Sequence, residues 1–193
     1  MWKGYTRKTG GDSNEKALLV VDYTVDFVAQ DGALTCGAPG QEIEEALCFI
    51  TEQFLENDDF VVMPVDLHEE KDPYHPETKL FPPHNIKGTD GRKLYGRLQE
   101  VYDRHQEDIV WMDKTRYSAF AGTRLELMLR ERSIEEVHII GVCTDICVLH
   151  TAIDAYNEGF QIVIHESAVA SFDDAGHRYA MRHFETILGA QIR

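Results

Sequence analysis

The sequence predicts a single-domain α/β fold, a doubly wound, mostly parallel sheet of five or six strands flanked by helices. Three observations carry that expectation. Short apolar runs alternate along the chain with stretches of helical spacing, the pattern left by strand–helix–strand units. The first run, Ala17-Leu18-Leu19-Val20-Val21, is apolar without alternation, as befits a strand covered on both faces. With 193 residues, the chain has the length for one full core.

In chain order, residues 1–16 are polar and glycine-containing and read as a flexible N-terminal extension before a domain spanning 17–193. The first strand ends in Asp22, and a loop with Asp26, Phe27, Gly32 and Gly37 follows. Ile43, Leu47, Ile50, Phe54 and Leu55 fall at helical spacing and predict a helix over 41–56. Residues 60–66 read as the second strand, again ending in an aspartate, with Pro64 awkward for an interior position. Residues 67–96 form a long loop rich in Pro, Gly and His, and loops of that length are usually functional or disordered. A short helix is expected over 94–105, a third strand over 108–114 ending in Lys114, and a helix over 122–132. The fourth strand, 136–142, leads through Cys143-Thr144-Asp145 into a helix over 145–158 that Gly159 caps. A fifth strand over 161–165, a helix over 173–188 and a short sixth strand over 190–192 complete the pattern.

Charge and cysteine content narrow the function. The formal net charge is −15, a surface that repels phosphate backbones, so nucleic acid is excluded as an expected partner. No apolar run is long enough to span a bilayer and no signal segment is recognised, so a cytoplasmic protein without a membrane partner is expected. Four cysteines in a chain of this length do not suggest a disulfide framework. Neither a G-x-G-x-x-G after the first strand nor a P-loop is present.

Three residues stand where open α/β sheets bind ligands, at the carboxyl ends of strands. Cys147 lies in a strand–turn–helix segment, where free N–H groups and the helix dipole favour thiolate. It reads as a nucleophile, against the alternative of a small buried hydrophobe. Asp22 reads as a proton acceptor for that thiol or as a turn former, and Lys114 as a cation lowering the thiol pKa or as a surface charge. Asp66, His68, His75, Glu77 and His84 crowd residues 66–84, a mixed oxygen and imidazole set suited to Zn, Fe or Mn or else a group of solvated loop side chains. Cys143 and Cys147 are too few to complete a zinc or redox motif by themselves.

Together these segments resemble the isochorismatase-like cysteine hydrolases, and among them the nicotinamidases of streptococcal type. The resemblance covers nearly all of 17–193. It rests on Leu19-Val20-Val21-Asp22 with Asp26-Phe27, Asp66-Leu67-His68, Lys114 with Ser118-Ala119-Phe120, and Gly141-Val142-Cys143-Thr144-Asp145-Ile146-Cys147. It implies a catalytic Asp22, Lys114 and Cys147, an oxyanion site from the backbone N–H groups of Cys143 and Cys147, and a cis peptide between Val142 and Cys143. It also implies one divalent metal ion, Zn first with Mn or Fe as alternatives, held by Asp66, His68, Glu77 and His84. The implied substrate is nicotinamide, with pyrazinamide also accepted, and ring contacts fall to Phe27, Phe81 and Tyr117. Another amidase acting on a carbamoyl or ureido substrate is the neighbouring reading, and a non-catalytic binding module the more distant one. A homo-oligomer follows from the family habit. Two departures are Tyr23-Thr24-Val25, where many relatives carry Val-Gln-Asn, and Cys143, where Ala or Leu is usual. His75 has no role in the resemblance.

Overall fold

The computed structural model describes residues 16–193. The expectation of a flexible extension therefore falls, for residues 1–15, outside the described residues. Residue 16 does not belong to it: Lys16 opens strand β1 (Lys16–Val21) and is in register with Glu136.

The other elements follow as α1 (Val25–Val28), α2 (Ala38–Glu42), α3 (Glu44–Glu56), β2 (Phe60–Asp66), α4 (Gly96–Arg104), β3 (Ile109–Lys114) and α5 (Leu125–Glu131). After them come β4 (Glu136–Val142), α6 (Leu149–Asn157), β5 (Gln161–Ala170), α7 (Asp174–Thr186) and β6 (Gln191–Ile192). The described residues form a six-stranded sheet in the order β3-β2-β1-β4-β5-β6, with every neighbouring pair parallel. The fold is thus the α/β sheet expected, at the upper strand number and wholly parallel.

Period-two geometry explains why β1 is apolar throughout. Ala17, Leu19 and Val21 face a core shared with Leu125 and Leu129 of α5, Ala152 of α6 and Phe184 of α7. Leu18 and Val20 face the opposite core, with Leu47 and Phe54 of α3 and Leu98 of α4. A strand covered on both faces has no solvent side for polar residues. The order reverses between β1 and β4, and the crevice at such a switch point lies outside the carboxyl ends of the strands. At Gly141, φ is +116° and an added Cβ would lie 2.0 Å from the Val21 carbonyl oxygen, so only glycine lets β4 approach β1 there.

Several boundaries differ from the expected ones, each for a physical reason. Pro64 sits inside β2 and the strand continues through it. Its carbonyl accepts the Asp22 N–H at 3.1 Å, so its missing donor faces β1, where regular pairing has already ended at Leu19–Val62. The expected loop 23–39 contains α1 and the start of α2, and Ile43 separates α2 from α3 within the expected helix. Helix α5 begins at Leu125 because Thr123 Oγ1 accepts the Leu125 N–H at 3.1 Å and Gly122 has φ +72°. Strand β5 runs five residues beyond its expected end. Pairing skips from Ile139–Ile164 to Gly141–Val169, and the residues between bulge outward and break the apolar run. The segment after Cys143 is a π-helical turn, Thr144–Val148, before α6 proper starts at Leu149.

Candidate active site

Asp22, Asp66 and Lys114 converge on one rim because β1, β2 and β3 are adjacent and in step, Asp66 lying opposite Lys114 in the ladder. Asp22 has φ +55°, a costly conformation for a residue with a Cβ. It turns the chain out of β1, and its Oδ1 accepts the Asp66 N–H at 2.8 Å. Lys114 is fully buried, with Nζ 2.7 Å from Asp22 Oδ2 and 2.7 Å from Asp66 Oδ1. It also donates to the Arg116 carbonyl at 3.1 Å and lies 3.7 Å from Cys147 Sγ. Atoms of Asp22, Asp66 and Cys147 fall within 4.8 Å of one another. The lysine is a buried counter-ion between two carboxylates and beside a thiol. The Val142–Cys143 peptide is cis, as the resemblance implies.

Burial raises Asp22 to about 6 against the pull of Lys114. Burial also works to raise Asp66, but Lys114 and the His68 contact outweigh it and leave this carboxyl at about 2. Burial opposes the charge on Lys114, yet Asp22, Asp66 and Cys147 hold it firmly protonated. The thiol of Cys147 departs from the expectation of a favoured thiolate. It is pushed well up, first by burial and then by Asp22 and Asp66, with Lys114 opposing. Burial outweighs the helix-end argument, since Cys147 is 5% exposed within the π turn that leads into α6. The resting pair is therefore a thiol beside a carboxylate, poised for proton transfer when a ligand arrives.

Asp66, His68, Glu77 and His84 come together, all buried, each with one ligand atom within 4.8 Å of the others. Strand β2 delivers Asp66. His68 is fixed by a rung with the chain at Asn85 and Lys87, its N–H donating to Asn85 and its carbonyl accepting from Lys87. Glu77 rides on a short 3₁₀ turn, Pro76–Lys79. His84 Nδ1 donates to the Pro82 carbonyl at 2.7 Å, so the neutral ring carries its lone pair on Nε2. That Nε2 is buried without a hydrogen-bond partner, 3.5 Å from Glu77 Oε2 and 3.9 Å from Asp66 Oδ2. An imidazole lone pair left over among carboxylate oxygens, its other nitrogen bonded to a carbonyl, fits a divalent metal centre. His75 is buried beside this group and offers it no atom.

A pocket with about 340 Å³ of empty space, counted to its open mouth, joins the two clusters. Phe27, Phe81 and Tyr117, the aromatic residues expected at the ligand, all line it, as do Cys143 and Cys147. Leu34 and Phe172 line it too and were not anticipated, although Phe172 follows the carboxyl end of β5, where that rim rule would have pointed. Two supporting groups also escaped the sequence reading. Arg92 Nε donates to the Asp66 carbonyl at 2.7 Å, while its Nη2 reaches Asp113 at 2.6 Å. Asp145 accepts from Ser171 Oγ at 2.6 Å and lies over the first turn of α7, where a Cβ on Gly176 would be 2.1 Å from Asp145 Oδ2. Both act between segments far apart in sequence, so no local pattern announces them.

A parallel sheet with a thiol, an aspartate and a buried lysine at its switch point defines a class of α/β hydrolase, and comparison with known families agrees: the chain belongs to the isochorismatase domain family, matched over residues 16–193. Among solved structures it is similar to the nicotinamidase/pyrazinamidase of Bacillus subtilis, at 59% identity and a TM-score of 0.91 over 92% of this chain and 98% of that one. It is similar as well to the pyrazinamidase/nicotinamidase of Streptococcus mutans, at 53% identity and a TM-score of 0.90 over 92% and 99%. The pyrazinamidase of Pyrococcus horikoshii, solved in complex with zinc, shares 30% identity with a TM-score of 0.82 over 93% and 98%.

Proposed function

We propose that this protein is a metal-dependent nicotinamidase, converting nicotinamide to nicotinic acid and ammonia through a thioester on Cys147, with pyrazinamide as a second substrate. The observation that carries the reading is Lys114, buried between Asp22 and Asp66 and 3.7 Å from the Cys147 sulfur at the floor of an aromatic pocket. The likeness to nicotinamidases at 53% and 59% identity supports the choice of substrate. Phe27, Phe81 and Tyr117 hold the flat ring and exclude water. Asp22, ionised above about pH 6, takes the thiol proton. The sulfur attacks the carboxamide carbon, and the backbone N–H groups of Cys143 and Cys147 receive the negative charge that develops on oxygen. Asp22 returns the proton to nitrogen as the C–N bond breaks and ammonia leaves. Water then adds to the thioester, the C–S bond breaks, and the acid departs with the thiol restored. Lys114 keeps Asp22 in place throughout and stays charged.

Asp66, His68, Glu77 and His84 would hold one divalent ion, Zn first and Mn or Fe next, which when bound supplies a Lewis acid that orients polar ligand atoms in the pocket. Among the described residues no helix is long and apolar enough to cross a membrane. Four free thiols suit the reducing cytoplasm, and nicotinamide is the partner of this reading, in NAD salvage. The test is ammonia release from nicotinamide by purified protein as isolated, after chelation, after Zn²⁺ is restored, and with Cys147→Ala. Turnover that needs both Cys147 and metal is the expected result. No turnover on nicotinamide by fully metallated protein would sink the assignment.

A further inference from the structure

His75 has no part in the mechanism above, yet it is buried, 8% exposed, between the metal-ligand cluster and the end of β3. Three contacts define what it does. Its Nδ1 accepts the Glu77 N–H at 3.2 Å, which makes the His75 side chain the N-cap of the 3₁₀ turn that presents Glu77. Its Nε2 lies 2.8 Å from the Thr115 carbonyl, next in chain to Lys114. A carbonyl only accepts and a backbone N–H only donates, so the ring proton sits on Nε2 and both nitrogens are committed to backbone. The ring packs at a tilt against His68, with centroids 4.3 Å apart, and His68 packs in turn against His84 at 4.4 Å.

We propose that His75 is the positioning residue that joins the metal-binding loop to the catalytic strand, setting Glu77 by its cap, His68 by its ring and the loop as a whole by its bond to Thr115. With both nitrogens committed, it is not a fifth ligand, although its type and spacing invite that reading. Its role follows from the loop's own weakness. Residues 67–95 hold only two short 3₁₀ turns and two isolated bridges, at His68–Ile86 and at Leu94, which cannot by themselves bring His68, Glu77 and His84 within 4.8 Å of one another and of Asp66. A side chain that bonds the loop at one nitrogen and strand-end backbone at the other supplies the missing constraint.

The inference rests on the proposed metal site but not on nicotinamide as substrate, so its test reads metal binding without substrate. Zn²⁺ affinity is measured by competition with a chelating dye for the parent protein and for His75→Ala, His75→Asn and His75→Gln. The Asn side-chain oxygen reaches the Nδ1 position and restores the cap alone. The Gln side-chain amide nitrogen reaches the Nε2 position and restores the bond to Thr115 alone. The expected result is Zn²⁺ binding weakened about tenfold or more in the Ala variant, with Asn and Gln each recovering part of it. The unfolding midpoints of the chelated Asn and Gln proteins should stay close to the parent's, which a purely structural role would not permit. If the Ala variant does not fold, the comparison of Asn and Gln with the parent decides. Variants that bind Zn²⁺ as tightly as the parent overturn the proposal. A parent that binds no Zn²⁺ overturns it together with the metal site, whereas tight Zn²⁺ binding without turnover on nicotinamide overturns the substrate alone.

Discussion

Replacing Lys114 by Met should expose how much the site depends on one buried charge. The ammonium is 0% exposed and touches Asp22 and Asp66, which are 0% and 1% exposed. Methionine fills similar space and leaves two desolvated carboxylates without a counter-ion. Breaking a buried ion pair by removing one partner costs about 3–5 kcal/mol. For a chain of this size, about 2–4 °C of unfolding temperature corresponds to each kcal/mol, so the loss reads as roughly 6–20 °C. The assay is thermal unfolding of chelated protein, since bound metal would compensate Asp66 and hide part of the effect.

Acidity gives this prediction a second signature. Asp22 has its pKa raised to about 6 even beside the ammonium, and without it the value must rise further. A carboxyl with a raised folded-state pKa binds its proton more tightly when folded, so stability is present at low pH and lost as pH rises through the folded value. The deficit of Lys114→Met should therefore be largest near pH 8 and shrink toward pH 5, where Asp22 is protonated. Activity should be lost at both. A chelated variant that unfolds within about 1 °C of the parent at pH 8, or a deficit that does not narrow on acidification, refutes the account of Lys114 as the essential counter-ion.

Two further outcomes follow from other parts of the molecule. Gly176→Ala places a methyl group against the Asp145 carboxylate and should displace the π turn carrying Cys147; kcat should fall about 10–100-fold while circular dichroism stays that of the parent, and unchanged kcat would show that Asp145 does not hold the turn. On the inner sheet, His138 bonds Glu136 and His165, both at 2.8 Å, and burial followed by His138 pushes His165 down to about 4. A histidine kept neutral when folded supports stability above the unfolded value near 6.5 and loses it as pH falls toward about 4. After discount for its partial exposure, about 1–2 kcal/mol should disappear over that window, and urea titrations of His165→Gln should show a shallower pH slope than the parent.

The candidate catalytic rim was legible because its residues stand where strand-like runs end. Asp22 follows and Asp66 ends a strand buried on both faces, Lys114 ends the edge strand β3, and parallel strands bring such ends to one side whatever lies between them. The candidate metal ligands were legible by type and crowding, while the choice of Asp66, His68, Glu77 and His84 among them came from the resemblance and not from spacing. His75 stands between His68 and Glu77 in sequence, and only the bonds of its two nitrogens separate it from the ligands. For Cys147, burial opposes the thiolate that its helix position suggested, for a related reason. Helix position is local and can be read from spacing, whereas desolvation depends on what packs over the sulfur. Arg92 and Asp145 were missed because they act between segments remote in sequence, and Phe172 because the fifth strand was expected to end at residue 165 and runs to Ala170.

Asp66 unites the two halves of the site. Its Oδ1 meets Lys114, while its Oδ2 faces His68 at 3.3 Å and His84 at 3.9 Å. Its N–H is held by Asp22 and its carbonyl by Arg92, so backbone and side chain are each tied at two points. A carboxylate fixed this way cannot rotate toward one partner without leaving the other. The thiol centre and the metal-ligand cluster are therefore geometrically one unit, and a change at Asp66 must disturb both. That arrangement explains why the chain accepts a strained Asp22, an interior Pro64 and three buried charges within a few ångströms: each fixes the carboxyl end of β2 or a group bonded to it.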